Sequence, residues 1–370
     1  MLRACASDGR VASRAFVAPA LLRRALSQSR RRAGRPPACC AEATPSKEAA
    51  QSACVNATPT ARELSDLSLA CGRLWELDVL RLSPGRDYEL DLQVTTYHDD
   101  RAARPLFKWV DQSTLEQPVY RSFLSLLDNY DWRPGAEEVY TDEEMAEIDA
   151  FLDDVMATPC MAYTYAYLTA KEVFRGTRPD FKARLSELWF AGYKRGRRGR
   201  GTDSSAFEHV FVGETKRDEG GNSLVIGSHS WLAWYFFEKE GVLNYYGFKR
   251  PRGRRSRNGH EYEKDHLLTV VFEFHGALKP VSTGFVGTSP AFELSLYTLA
   301  FLCGQEETLC ELGGVATAIH VHRHRGDKIG TCHPEEAVRR DTDGRLYTYP
   351  EYVAFYGSDA PAAWAAAAHP

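Results

Sequence analysis

The sequence predicts an α+β protein, with a helical lobe over residues 60–200 followed by a strand-rich lobe over residues 201–352. Three observations carry that prediction. In the first half, apolar residues recur every three or four positions behind helix-start signals. In the second, short β-branched and aromatic runs are bounded by Gly or Pro. With 44% apolar and 12% aromatic residues among 370, the chain can bury a sizeable core, which excludes disorder throughout.

The elements follow in order. Thr60 and Glu63 form a capping box, in which hydroxyl and carboxylate each satisfy the other residue's backbone N–H. Leu64, Leu67, Cys71 and Leu74 follow at helical spacing, and Ser83-Pro84-Gly85 marks a turn. Pro118–Leu127 reads as a helix. Thr141 and Glu144 open another, with Met145, Ile148, Leu152 and Val155 on one face; Met161–Phe174 and Phe181–Trp189 continue the pattern. After Tyr193 the runs His209–Val212, Val242–Phe248, Leu267–Phe274, Val281–Val286 and Val315–Val321 read as strands. Two helices interrupt them. One begins at Ser230 and carries Trp231, Trp234 and Tyr235. The other begins after Ser289, with Pro290 where a missing N–H costs nothing and Phe292, Leu296, Leu299 and Cys303 on one face. Residues 353–370 form a C-terminal tail whose alanine-rich end, from Ala360, reads as frayed.

Residues 1–59 do not read as fold. Up to residue 45 they carry nine arginines against Asp8 and Glu42, the composition of an organellar transit peptide or a disordered basic tail, followed by a Ser/Thr/Ala-rich linker. Mitochondrial or plastid import is therefore one expectation, and a cytoplasmic protein the other. No stretch approaches the roughly 18–20 apolar residues of a membrane span. Nine cysteines without a C-x-x-C pair suggest neither a disulfide framework nor a zinc ribbon. The net charge of -4 looks unpromising for a nucleic-acid partner. It conceals two concentrated basic runs, five basic residues in Lys194–Arg200 and six in Lys249–Arg257, which suit an electrostatic track for a phosphate backbone or, alternatively, a solvated loop.

Three segments each set one titratable side chain among apolar or small neighbours: Phe207-Glu208-His209-Val210-Phe211-Val212-Gly213-Glu214, Gly227-Ser228-His229-Ser230-Trp231 and Leu278-Lys279-Pro280-Val281-Ser282-Thr283-Gly284. Two histidines and a lysine suffice to cleave RNA without a metal-bound water. One histidine takes the proton of the 2′-hydroxyl, the other protonates the leaving 5′-oxygen, and the lysine offsets the charge of the phosphorane. The competing reading of each is structural: a satisfied histidine in a strand, and a lysine in a solvated turn before Pro280.

These segments resemble the EndoU family of poly(U)-specific endoribonucleases. The likeness extends through Pro105-Leu106-Phe107-Lys108, Phe123–Tyr130, Gly287-Thr288-Ser289-Pro290 and Leu296-Tyr297-Thr298, over roughly residues 62–350. The resemblance implies an EndoU-type catalytic lobe and an endoribonuclease that cleaves single-stranded, U-rich RNA, leaving 2′,3′-cyclic phosphate ends. His229 would be the general base, His209 the general acid and Lys279 the phosphorane stabiliser, with the two histidine roles open to exchange. It implies a need for Mn2+, with Glu208 and Glu214 at the matching carboxylate positions; hard oxygen ligands suit that ion. Thr283, beside Ser282, would read the uracil edge. His333 stands where the family has a tyrosine that orients or stacks on the base, and imidazole keeps the stacking while losing the phenol. A monomer is expected. The alternative is an RNA-binding relative with weakened catalysis, the His333 departure being its first lesion. His320, His322 and His324 alternate along one run, so they either converge on a metal or line the wet face of an edge strand.

Overall fold

The computed structural model describes residues 57–133, 140–195, 202–249 and 266–368. The arginine-rich leader, most of the linker and most of both basic runs lie outside the described residues.

Thr60 and Glu63 form the expected reciprocal capping box. The helix it starts does not run on to Leu74. It ends as α1 (Ala61–Ser65), and Asp66 turns the chain, its carboxylate accepting from Ser68 N to cap α2 (Leu67–Leu77). An Asp competes well as a cap and poorly as a helix interior residue, which explains the break. A bulged hairpin of β1 (Tyr88–Leu90) and β2 (Phe107–Val110) interrupts the helical lobe. Then come α3 (Gln112–Leu115), α4 (Pro118–Ser125), α5 (Asp142–Met156), α6 (Pro159–Ala170) and α7 (Arg178–Phe190). Thr141 and Glu144 cap α5 as expected. Met145 is exposed, so its inner face starts at Ile148.

The second lobe is built on a five-stranded sheet of order β3-β4-β7-β6-β5, formed by β3 (Glu214–Arg217), β4 (Ser223–Ile226), β5 (Leu243–Lys249), β6 (Leu267–Phe274) and β7 (Ala277–Phe285). All pairs are antiparallel except β4–β7. A three-stranded antiparallel sheet of order β10-β9-β8 comprises β8 (Glu307–Leu312), β9 (Val315–His324) and β10 (Lys328–Glu336). Helices α8 (Trp231–Lys239) and α9 (Pro290–Cys303) lie between strands in sequence, as expected. The two lobes share one core, from Leu74 and Phe123 through Phe207 and Trp231 to Phe292 and Cys332. Trp189 of α7 donates to Thr298 Oγ1 of α9 at its centre, so the lobes are not separate domains.

Two strand assignments need correction. His209–Val212 is not a strand: Gly213 N–H reaches back five residues to Glu208 O at 2.8 Å, closing a π-helical turn over Glu208–Val212. Lys279 does not lie in a solvated turn but within β7, opposite Phe272, and is 7% exposed. The C-terminal tail is also folded. β11 (Val338–Arg340) and β12 (Leu346–Thr348) pair, α10 (Tyr349–Tyr356) and α11 (Ala360–Ala366) follow, and Tyr352, Ala360 and Trp364 make a small second core with Ala318 and Ala337. Trp364 supplies the apolar surface that an alanine run lacks.

Two carboxyls lie deep in the main core. Asp78, at the end of α2, accepts from Ser289 N at 3.1 Å; Glu293 accepts from Thr288 Oγ1 at 2.8 Å. Burial raises both, Asp78 to about 6. A carboxyl whose folded pKa lies above its unfolded one contributes stability that is complete below pH 3.8 and lost as pH rises through about 6. Asp78→Asn, which keeps the bond to Ser289, is expected to flatten this limb. In urea unfolding it should exceed the native protein by about 3 kcal/mol at pH 8 and nearly match it at pH 4.

Candidate active site

The elements meet where β7, the π turn and the loop before α8 converge. Ser228 N donates to His209 O at 3.0 Å and His229 N to Val210 O at 2.7 Å, so the two histidine segments are bonded backbone to backbone. Such an approach requires glycine. A Cβ on Gly227 would lie 1.7 Å from His209 O, and its φ of +68° suits no other residue well. A Cβ on Gly284 of β7 would lie 2.5 Å from His229 O. Ser228 itself has φ +61°, and its carbonyl accepts from Trp234 Nε1 at 3.1 Å and from the Ser282 hydroxyl. These two donors hold the strained residue and aim the one after it.

His229 is 7% exposed and its Nδ1 lies 2.9 Å from Thr283 O. A carbonyl only accepts, so Nδ1 carries the proton and Nε2 keeps its lone pair. Burial first, then the nearby His333 and Lys279, hold its pKa well below the usual histidine value. His209 is 5% exposed, with Nδ1 3.2 Å from Glu214 Oε1. Burial pushes it down to about 4; the Glu214 bond works the other way, while Arg195 and Lys279 reinforce the fall. Glu214 resists ionisation through burial, but His209, Arg195 and Ser204 outweigh that and leave its pKa lowered. Lys279 is brought down to about 7 by burial and by Lys216. Because Lys279 acts on both histidines, and His209 on His229, the expected trio shares one electrostatic site.

A bulge places the lysine. Between the pairs Phe272↔Lys279 and Val270↔Ser282, β7 has one residue more than β6, so Pro280 and Val281 together oppose Val271. Ser282 is therefore fully buried and spent on Ser228; it positions His229 and is not available to read a base. Thr283 is 4% exposed, its carbonyl on His229 and its hydroxyl 3.0 Å from that of Thr269. His333 is brought into the site. Its ring stacks on His229 at 4.7 Å between centroids and on the cross-strand His320 at 5.3 Å. A second bulge, at Gly330, sets that register, since Ile329 faces Arg323 and Thr331 faces His322.

The three alternating histidines neither converge on a metal nor line an edge. β9 is the middle strand of its sheet, and His324 stacks instead on Tyr193 at 5.1 Å. Glu208 is 1% exposed and exchanges bonds with Ser205, and Glu214 is shared by Ser204, His209 and Arg195. No group of three His, Cys, Asp or Glu side chains able to hold a metal occurs among the described residues. The carboxylates present thus do not fit a protein-held Mn2+, and no catalytic step is assigned to one. No helix among the described residues is long and apolar enough to cross a membrane.

Residue-level reading of the sequence missed Arg195 as an individual. It counted toward a basic run, yet it approaches Glu214 Oε1 at 3.9 Å, Tyr193 OH at 3.2 Å and the Gly330 carbonyl, tying the His209 partner to the strand that carries His333. Charge patterning alone cannot separate one engaged arginine from its solvated neighbours.

The profile of the family described as Endoribonuclease XendoU matches residues 66–334. A poly(U)-specific endoribonuclease of Xenopus tropicalis is 38% identical over 281 residues, covering 73% of this chain and 92% of its own. The uridylate-specific endoribonuclease C of Danio rerio is 39% identical over 282 residues, covering 73% and 88%. A solved structure of XendoU, described as a splicing-independent snoRNA-processing endoribonuclease, is similar with a TM-score of 0.63 at 38% identity, covering 73% of this chain and 96% of that one. The chain belongs to the XendoU endoribonuclease family and is an RNA-cleaving enzyme.

Proposed function

We propose that the protein cleaves single-stranded RNA at uridines by transesterification. The uridine 2′-oxygen bonds to the adjacent phosphorus as the bond from phosphorus to the 5′-oxygen breaks, leaving a 2′,3′-cyclic phosphate and a 5′-hydroxyl. The observation that carries the assignment is the unequal support of two buried histidines. His229 rests on a neutral carbonyl with Nε2 unprotonated, which suits removal of the 2′-hydroxyl proton. His209 rests on a carboxylate, which favours its imidazolium and suits protonation of the 5′-oxygen. Lys279 offsets the phosphorane charge. Burial keeps the free groups short of protons; the phosphate of a bound RNA favours the charged forms of His209 and Lys279. His333, stacked over His229, holds the base. The names of the related enzymes support uridine. Manganese is proposed to act through RNA phosphates rather than through Glu208 and Glu214, which are occupied. Sequencing the cut ends of a mixed RNA pool tests the reading: cyclic-phosphate ends concentrated at uridines support it, and ends without base preference sink the uridine assignment.

Lys279 adds a pH dependence. It is charged below about 7, so cleavage is expected to fall as pH rises through neutrality. Lys216, an exposed residue of β3, contributes to that low value. Lys216→Gln should therefore move the alkaline limb of the rate profile to higher pH, and an unmoved limb would assign that limb to another group.

A further inference from the structure

Glu335 is the first residue past the family match, which ends at residue 334, and it stands two places beyond His333 on β10. Alternate residues of a strand share a face. The register also sets a row across the three-stranded sheet, with Glu307 of β8 opposite His320 of β9 and His320 opposite His333. The two imidazoles of that row stack at 5.3 Å, and Glu335 closes their common edge. One of its carboxylate oxygens lies 3.4 Å from His333 Nε2 and the other 3.5 Å from His320 Nε2, both at ion-pair distance.

The far side of the row is anchored. Glu307 Oε1 lies 3.9 Å from His320 Nε2 and accepts from Arg339 of β11, which is buried and holds its guanidinium 4.9 Å over the Trp364 ring. Burial lowers the His320 pKa; Glu335 and Glu307 work against this, while His333 and Arg339 add to it. His320 is thus tied to the small second core, and Glu335 ties His333 to His320. The His333 ring needs such a tie. Its other ring neighbours are the imidazoles of His229 at 4.7 Å and His322 at 6.3 Å. Stacking fixes the plane of an imidazole but not which of two flips it takes, and a flip exchanges each nitrogen with a carbon. Nδ1 of His333 is buried with no hydrogen-bond partner, so it does not choose between them. A carboxylate only accepts, so Glu335 favours the flip that turns Nε2 toward it and the tautomer that carries the proton there.

We propose that Glu335 is a positioning residue of the RNA site, selecting the one orientation and tautomer of His333 in which that ring holds the base. The inference rests on the assignment of the base to His333. The test is steady-state kinetics of the full chain on a uridine-containing oligonucleotide. Glu335→Gln, whose side chain is neutral and can donate as well as accept, is expected to raise KM about fivefold and to leave kcat within about twofold, since His229, His209 and Lys279 keep their partners. His333→Ala, which removes the ring, is expected to raise KM about tenfold or more. In the His333→Ala background Glu335→Gln should change KM by less than about twofold, because no ring is left to orient, whereas a purely structural role gives the same loss in both backgrounds. Equal losses in the two backgrounds, or an unmoved KM for Glu335→Gln beside a raised one for His333→Ala, would overturn the role of Glu335 and leave the base assignment standing. An unmoved KM for His333→Ala would overturn the base assignment and this inference with it.

Discussion

His229→Ala is expected to lower RNA cleavage by about 10²–10⁴-fold, the usual worth of a positioned general base, with little change in RNA binding. His209→Ala should lose a similar factor on RNA. The two should part on a uridine 3′-phosphodiester whose leaving group is p-nitrophenolate, because that anion departs without a proton. The base is still needed there and the acid is not. His209→Ala should then recover to within about tenfold of the native rate, while His229→Ala stays inactive. The physical basis is the difference in partners: a carbonyl behind His229 and a carboxylate behind His209. Recovery of His229→Ala in place of His209→Ala would exchange the two roles while leaving the trio itself intact.

Gly227→Ala should do comparable damage without touching a reacting group. The new methyl would meet backbone, not a side chain that could swing away, at 1.7 Å from His209 O. Either the π turn or the loop before α8 must shift, and each carries one of the two histidines proposed to act on RNA. Positive φ and overpacking together should destabilise the fold by about 3 kcal/mol or more. A shift of about 1 Å in the histidines should cost about 10²-fold in rate. Gly276→Ala is the matched control, since Gly276 has φ +77° but open space around it. It should lose only the conformational part of the stability and none of the activity. Equal losses in stability and rate for the two variants would show that the contact with His209 is not what Gly227 serves.

How much of this was legible beforehand differs by element. The capping boxes at Thr60 and Thr141 and the Pro290 helix start were readable because each depends on residues within four positions. The trio was readable through motif resemblance, and the structure brings its members together. The π turn was not: Val210, Phe211 and Val212 are β-branched or aromatic and pack inward whether the backbone is extended or coiled, and only the bond from Gly213 to Glu208 decides between them. The bond of Ser282 to Ser228 was not legible for a similar reason. Regular alternation in β7 would put Ser282 on the face opposite Lys279, and the bulge at Pro280–Val281, which depends on pairing with β6, puts both on one face. The C-terminal segment looked frayed because alanines dominate its end. Its order rests on Trp364 packing against Tyr349 and Tyr352, contacts that no local pattern announces.

The central claim is that the attacking oxygen belongs to the RNA and that His229, His209 and Lys279 suffice to move it. It is tested most directly with two otherwise deoxy oligonucleotides, one holding a single uridine ribose and the other the same uridine as its 2′-O-methyl ether. One cut is expected in the first, with a 2′,3′-cyclic phosphate on the uridine and a 5′-hydroxyl on its neighbour, and none in the second. Cleavage of the methyl ether, or a 3′-hydroxyl with a 5′-phosphate at the cut, would mean that water attacks instead and would contradict it.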